Sequence, residues 1–164
     1  MEAGGARLEW RPEAFLAGLE AEMGRRVAVC CELVKAMAQR LLSSSGGPSR
    51  PGEPPHAVTS ALRNSIFARY EGLKGEVGTP YPYGLWLEHG VPGGVAITPK
   101  NAKALSWVDA SGTRHFAARV TQGEIKPRPW LRPALARSER AAQKVMLAPW
   151  DGRPPAGALS VTPA

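Results

Sequence analysis

The stretch from Arg11 to Leu42 constrains this chain more than any other part of it. Apolar residues fall at Leu16, Leu19, Met23, Val27, Cys30, Val34, Met37 and Leu41, in steps of three and four, which is the period of one helix face. Pro12 suits a first helical turn, where a missing N–H is harmless, and Glu20, Arg25, Glu32, Lys35 and Arg40 fall largely on other faces. The spacing predicts one long helix over Arg11–Leu42. A stripe of about seven turns needs a partner surface of similar length. A sheet or second helix of the same domain supplies it in an ordinary core, and a neighbouring subunit is the other source.

SSSGGPSRPGEPP then ends the helix, because successive Gly and Pro remove helical preference and backbone donors, and 43–58 reads as a flexible loop. Ser60 to Ser65 fits a short helical turn capped by Thr59 or Ser60. IFARYEGLKGEVGT follows as a hairpin, with apolar residues on both faces. Tyr81 to His89 reads as a short helix, Val95 to Thr98 as a short strand, and Leu105–Val108 with His115–Val120 as two strands joined by DASGT. Trp130 to Met146 shows helical spacing at Leu131, Leu135, Ala142 and Val145 or Met146. The predicted architecture is α+β: a long N-terminal helix and a C-terminal helix packed on a small, mostly antiparallel sheet with a short inserted helix. It occupies 1–147 as a single domain, and 148–164 reads as a Pro-rich extended or disordered tail.

A chain of 164 residues can bury roughly 70% of its unfolded surface, but 18 Gly and 16 Pro, many of them in 43–55 and 148–164, shrink the core that length alone implies. The two cysteines, Cys30 and Cys31, are adjacent on the predicted helix and point about 100° apart, so they do not bridge each other. That usage, a charged N-terminus without a signal-like apolar stretch, and the absence of any window near the ~20 apolar residues of a membrane span predict synthesis in the cytoplasm and no membrane partner. The net charge is +7, and it is uneven. Arg114, Arg119, Lys126, Arg128, Arg132, Arg137, Arg140 and Lys144 face only Glu124 and Glu139 between Thr113 and Leu147. Without aromatic interleaving or a groove-reading motif, a solvated or protein-facing basic surface is the preferred reading over direct DNA contact.

Reactive constellations are thin. His56, His89 and His115 lie in three different segments, and the cysteine pair has no second CxxC or His pair to complete a zinc site. No GxSxG, Walker loop, GxGxxG or HExxH occurs. Glu88 beside His89 is an acid–base pair on paper, but a structural ion pair or a solvated helix end is the preferred reading. No catalytic, cofactor-binding or metal-ligating set is assigned, and the chain is read as a non-enzyme.

Three blocks invite a different reading: PGEPPHAVTSALRNSI at Pro51–Ile66, YPYGLWLEHG at Tyr81–Gly90 and IKPRPWLRPAL at Ile125–Leu135. Each joins a Pro or Gly constraint to one or two large anchors and a charge, the recipe for a fixed surface. The expected interface or structural anchors are Leu62, Arg63, Tyr83, Trp86, Glu88, Arg128, Trp130 and Arg132. Arg63 is expected to pair with a carboxylate such as Glu88. Trp130 is expected to begin the last helix as a buried anchor, and Trp and Arg are over-represented at binding hot spots.

In order and content these blocks resemble the tail-completion or neck family of long-tailed bacteriophages, over most of the chain from the first helix to the last. The family shows PGxPPxxxTGxLxxSI, YAxxxExG and RPFLxPA. Thr59, Leu62, Ser65 and Ile66 match the first block, Tyr83, Glu88 and Gly90 the second, and Arg128, Pro129, Trp130, Leu131 and Pro133 the third. The chain departs at Ser60, where the family favours Gly, and at Trp130, where Phe is commoner. The resemblance implies a structural virion protein that forms a ring in the neck, completes the tail and joins it to the head connector. The implied partners are other copies of itself, in a six-fold ring or alternatively a twelve-fold one, the tail tube or tail terminator protein, the head-closure or connector protein, and DNA passing through the channel. It implies the host cytoplasm during assembly and the virion afterwards. A tail terminator capping the tube is the alternative within that class, and a small basic nucleic-acid-binding protein is the alternative outside it.

Overall fold

A computed structural model describes residues 6–43, 49–56, 60–149 and 159–163. The elements follow in the order β1 Ala6–Trp10, α1 Pro12–Leu41, α2 Ala61–Ser65, β2 Phe67–Glu71, β3 Lys74–Gly78, α3 Pro82–His89, β4 Ala96–Ile97, β5 Leu105–Val108, β6 Arg114–Ala117, β7 Val120–Thr121, α4 Leu131–Met146 and β8 Leu159–Pro163. The fold is α+β, with a long N-terminal helix, a C-terminal helix, a short helix between them and antiparallel strands. No helix among the described residues is long and apolar enough to cross a membrane.

α1 starts as its sequence dictates, with Pro12 in the first turn, Glu13 beside the exposed N–H groups and Arg40 near the terminal carbonyls. Only its C-terminal half is deeply covered. Cys31, Val34, Ala38 and, just beyond the helix, Leu42 are buried, whereas Leu16 is 57% exposed. α4 covers that half and runs antiparallel to α1. Arg26 donates to the carbonyls of Met146 and Ala148, Cys30 Sγ reaches the Ala142 carbonyl, and Ser138 Oγ donates to Leu33 O. Ala134 and Ser138 face inward, so small side chains let the two backbones approach, while Leu135 is 60% exposed. Of the residues whose spacing marks the helical face, Leu131, Ala142, Val145 and Met146 are half-buried and Leu135 alone is turned out.

The β2–β3 hairpin lies on another face of α1 in the register Phe67↔Gly78 to Glu71↔Lys74. Gly75 marks its closest approach, because a Cβ there would collide with Cys31 Sγ. The remaining strands form no common sheet with it. Among the described residues the strands pair antiparallel as four two-stranded ladders. Three of the four are local hairpins or nested pairs; the other joins β1 to β8, from Ala6↔Pro163 to Trp10↔Leu159. Residues 159–163 of the expected tail are thus extended and hydrogen-bonded, while 150–158 lie outside the described residues.

Two of the ladders belong to one structure. Val91 and Ile125 form an antiparallel bridge, Gly94 and Val95 exchange backbone bonds with Gln122, β4 pairs with β7, and β5 pairs with β6 beyond them. These nested pairs make a β-arm that leaves the fold after α3 and returns before α4. Within 91–129 every described residue keeps some exposure, so the arm has no buried core of its own.

The core sits at one end of α1. Ala38, Leu42, Leu62, Ile66, Trp130 and Ala134 form the buried cluster, with Met37, Leu41, Val77, Tyr83, Leu87 and Leu131 packed against it.

Candidate functional site

The three blocks meet in this core, and Trp130 is where they meet. It is 2% exposed, and its indole Nε1–H donates to the Gly84 carbonyl at 3.0 Å. Gly84 must be Gly for that approach. A Cβ there would lie 2.5 Å from Thr79 Cγ2, 3.2 Å from Leu62 Cδ1 and 3.6 Å from Trp130 Cζ2. One residue from each block therefore touches at a single point.

Glu88 locks the junction. Its Oε2 accepts the backbone N–H groups of Trp130 at 2.7 Å and Leu131 at 2.8 Å, and its Oε1 accepts that of Arg132 at 2.9 Å. The first N–H groups of a helix have no intrahelical acceptor and carry its positive dipole end, so a carboxylate there satisfies both hydrogen bonding and charge. Trp130 occupies the position where a Ser, Thr, Asp or Asn normally caps, and it makes no side-chain cap bond. Glu88, from α3, does that work across the chain. It is 9% exposed, hence neither a solvated helix end nor the partner of Arg63. Arg63 instead bonds Asn64 Oδ1 at 3.3 Å and Ser43 Oγ at 3.5 Å. The expected Arg63–Glu88 pair is corrected accordingly.

The first block is tied in at two places. Ser65 Oγ donates to Leu62 O at 2.8 Å and bonds Thr79 Oγ1 at 2.7 Å, fixing α2 to the turn before α3. Gly52 N–H donates to Pro127 O at 2.8 Å and Arg128 Nε to Ser49 O at 3.2 Å. Part of the stretch read as a flexible loop is thereby strapped to the third block; 44–48 and 57–59, including Thr59 as a candidate cap, lie outside the described residues. Ser60 precedes α2 with φ 57° and ψ 6° and makes no side-chain cap bond, so its expected capping role is corrected.

Of the expected anchors, Leu62, Glu88 and Trp130 are buried together, and Tyr83 packs beside them with its ring stacked on Tyr81 at 5.4 Å. Arg128 is half-buried in the strap, and its own N–H donates to Leu87 O at 2.6 Å. Arg63 lies at the edge, and Arg132 is exposed apart from its backbone bond to Glu88. Trp86 points away from the node and is 49% exposed.

The sequence reading did not single out the apolar surface of the β-arm. Val95, Ile97, Trp107, Val108 and Phe116 are all among the exposed large hydrophobics, Phe116 at 68%. The arm's tip is stiff. Asp109 Oδ1 accepts the N–H groups of Ser111 and Thr113 and the Ser111 hydroxyl, and Oδ2 meets His115 Nε2 at 2.8 Å. These bonds, the Ser111 hydroxyl first and His115 second, pull the Asp109 carboxyl down to about 2. His115 in turn stacks on Trp107 at 5.5 Å. Legible signals were Trp107 and Phe116 in short strands without a periodic partner segment to cover them.

A second apolar surface lies at the uncovered end of α1. Ala17, Ala21, Gly24 and Ala28 line a groove of about 460 Å³ with Tyr70 and Gly72 of the β2–β3 hairpin, and Glu20 and Arg25 complete its lining. Tyr70 is exposed there. Burial raises the thiol of Cys31 above its ordinary value, with Cys30 and Glu32 adding to the effect, so that sulfur stays a protonated packing group. Among the described residues no three His, Cys, Asp or Glu side chains come together to hold a metal ion. The chain matches no family model, no curated protein and no solved structure.

Proposed function

We propose that this protein is a structural component of a tailed-phage neck, in which copies assemble head-to-tail into a ring that completes the tail and joins it to the head connector. The observation that carries the reading is the β-arm: a stiff projection with exposed Val95, Ile97, Trp107, Val108 and Phe116 and no buried residue of its own. By the register Trp107 lies on one face of the β5–β6 ladder and Val108 and Phe116 on the other, so both faces of the arm carry exposed apolar side chains of the kind that another chain covers. A closed ring of identical subunits needs two different, complementary patches. The groove beside the N-terminal half of α1 is a second apolar patch on a different element, suited to receive a neighbour's arm.

The node supports the same reading from the other side. Sequence blocks resembling the neck family are engaged in fixing α2, α3 and α4 to one another and in anchoring both roots of the arm. Their product is the angle at which the arm leaves the fold.

Sedimentation of the purified protein, with and without the tail-tube protein, tests the proposal. The wild type forms a closed oligomer, alone or on the tube. The double variant Trp107→Ser with Phe116→Ser loses no more than about 1 kcal/mol of folding stability, two exposed substitutions together with the Trp107–His115 stack, and loses the oligomer. Particles assembled without the protein carry tails of normal length detached from filled heads; overlong tails would instead indicate a tail terminator. A wild type that stays monomeric in both conditions, with normal particles from the double variant, would refute the assignment.

A further inference from the structure

We infer that the solvent face of α4 binds the phosphate backbone of double-stranded DNA through Arg132, Arg137, Arg140 and Lys144. This goes beyond the ring proposal and does not depend on it. The four cations are exposed, on the side of α4 opposite Ala134 and Ser138, within an arc of about 140°. They extend over about 18 Å of helix, a length of duplex that carries about ten phosphates.

Compensation distinguishes this helix from α1. On α1, Glu22 pairs with Arg25 at 2.7 Å and Arg26 at 2.9 Å, and Glu32 pairs with Lys35 at 3.3 Å. None of the four α4 cations has an ion-pair partner among the described residues. The one carboxylate on the helix, Glu139, sits at the edge of the arc and accepts a bond from Gln143 at 3.3 Å. At the helix start, Glu88 is turned inward onto backbone N–H groups and does not neutralise the Arg132 side chain.

The arc's other residues select the partner. Between the cations stand Pro133, Ala136 and Gln143, and the exposed Leu135 and Leu147 lie outside the strip, to one side of Arg132 and beyond Lys144. Protein interfaces rest on apolar anchors at their centres, whereas phosphate contacts need only positioned cations and room for the backbone to approach. A cationic strip of small residues fits a polyanion. The four cations are assigned to phosphates, which carry no base identity, so the contact is independent of sequence.

The test is anisotropy of a labelled duplex of about 20 base pairs with the full-length protein, from about 50 to about 200 mM salt. Four phosphate contacts give a slope of log K against log salt near about −3.6, so affinity falls roughly 150-fold across that range, equally for a scrambled duplex. The triple variant Arg137→Ala, Arg140→Ala, Lys144→Ala leaves one contact, a slope near about −0.9 and roughly a fourfold fall. Arg25→Ala with Lys35→Ala keeps the wild-type slope. Absence of duplex binding at the lowest salt, or a triple variant with the wild-type slope, would overturn the inference. Binding of poly-glutamate without binding of duplex would overturn it as well, and would reassign the face to an acidic protein.

Discussion

Replacing Glu88 by Gln isolates the charge that holds the three blocks together. The amide keeps one carbonyl oxygen, which can still accept from Trp130 and Leu131, where the carboxylate bonds are 2.7 and 2.8 Å. Its NH2 then faces the Arg132 N–H, donor against donor, where the carboxylate accepts at 2.9 Å. Two charge-assisted bonds become neutral, at about 1 kcal/mol each, and the third is lost at about 1 to 2 kcal/mol. Loss of the attraction to the helix dipole adds a few tenths of a kcal/mol or more. The sum is about 4 kcal/mol. With a urea dependence of about 2 kcal/mol per molar, the unfolding midpoint followed by far-UV circular dichroism falls by about 2 M. Glu88→Ala, which leaves all three N–H groups without a side-chain acceptor, falls further. A midpoint within about 0.3 M of wild type for the Gln variant would refute the capping role and with it the account of how the arm is anchored.

Two more predictions concern single positions. Ser60 holds φ 57°, a region that disfavours a Cβ by about 1 to 2 kcal/mol, so Ser60→Gly stabilises by about 0.5 to 1 kcal/mol after the entropy of Gly is set against it. Calorimetry then shows Tm higher by about 2 °C, and a lower Tm would exclude the left-handed turn. Asp109 is lowered from 3.8 to about 2, so its bonds stabilise the tip fully above the upper value and are lost as pH falls through the lower one. Protection of the Ser111 and Thr113 amides, measured as exchange relative to an unstructured amide at the same pH, should therefore hold down to about pH 4 and fall between about pH 4 and pH 2; loss of protection already near pH 6 would contradict the hydrogen-bonded carboxylate.

How legible these features were in the sequence depended on whether their partners were local. α1 and the β2–β3 hairpin follow from periodicity and a turn, both contained within a few residues, and they fold where the pattern places them. Glu88 acts on Trp130, Leu131 and Arg132, which no spacing rule connects to it. A clue was nevertheless present: a helix starting at a Trp between two prolines lacks a local cap, and a buried helix end requires one from elsewhere. Apolar spacing finds Leu131, Ala142 and Val145 on the covered side of α4 but not Ala134 and Ser138, which close packing of two helices selects while Leu135 stays exposed. Likewise β4 and β7 are two residues each, too short to carry an alternating pattern, so the nesting that makes one arm from separate strands is a property of the register alone.

The arm carries large side chains without lending any of them to the interior, while its roots pair with each other at Val91 and Ile125 and are fastened to the fold through Gly52 N–H to Pro127 O and Arg128 N–H to Leu87 O. Mutation can therefore rewrite the outer strands without endangering the molecule's ability to fold. The surface that the arm presents can thus change in small steps, each variant remaining foldable, without rebuilding the scaffold.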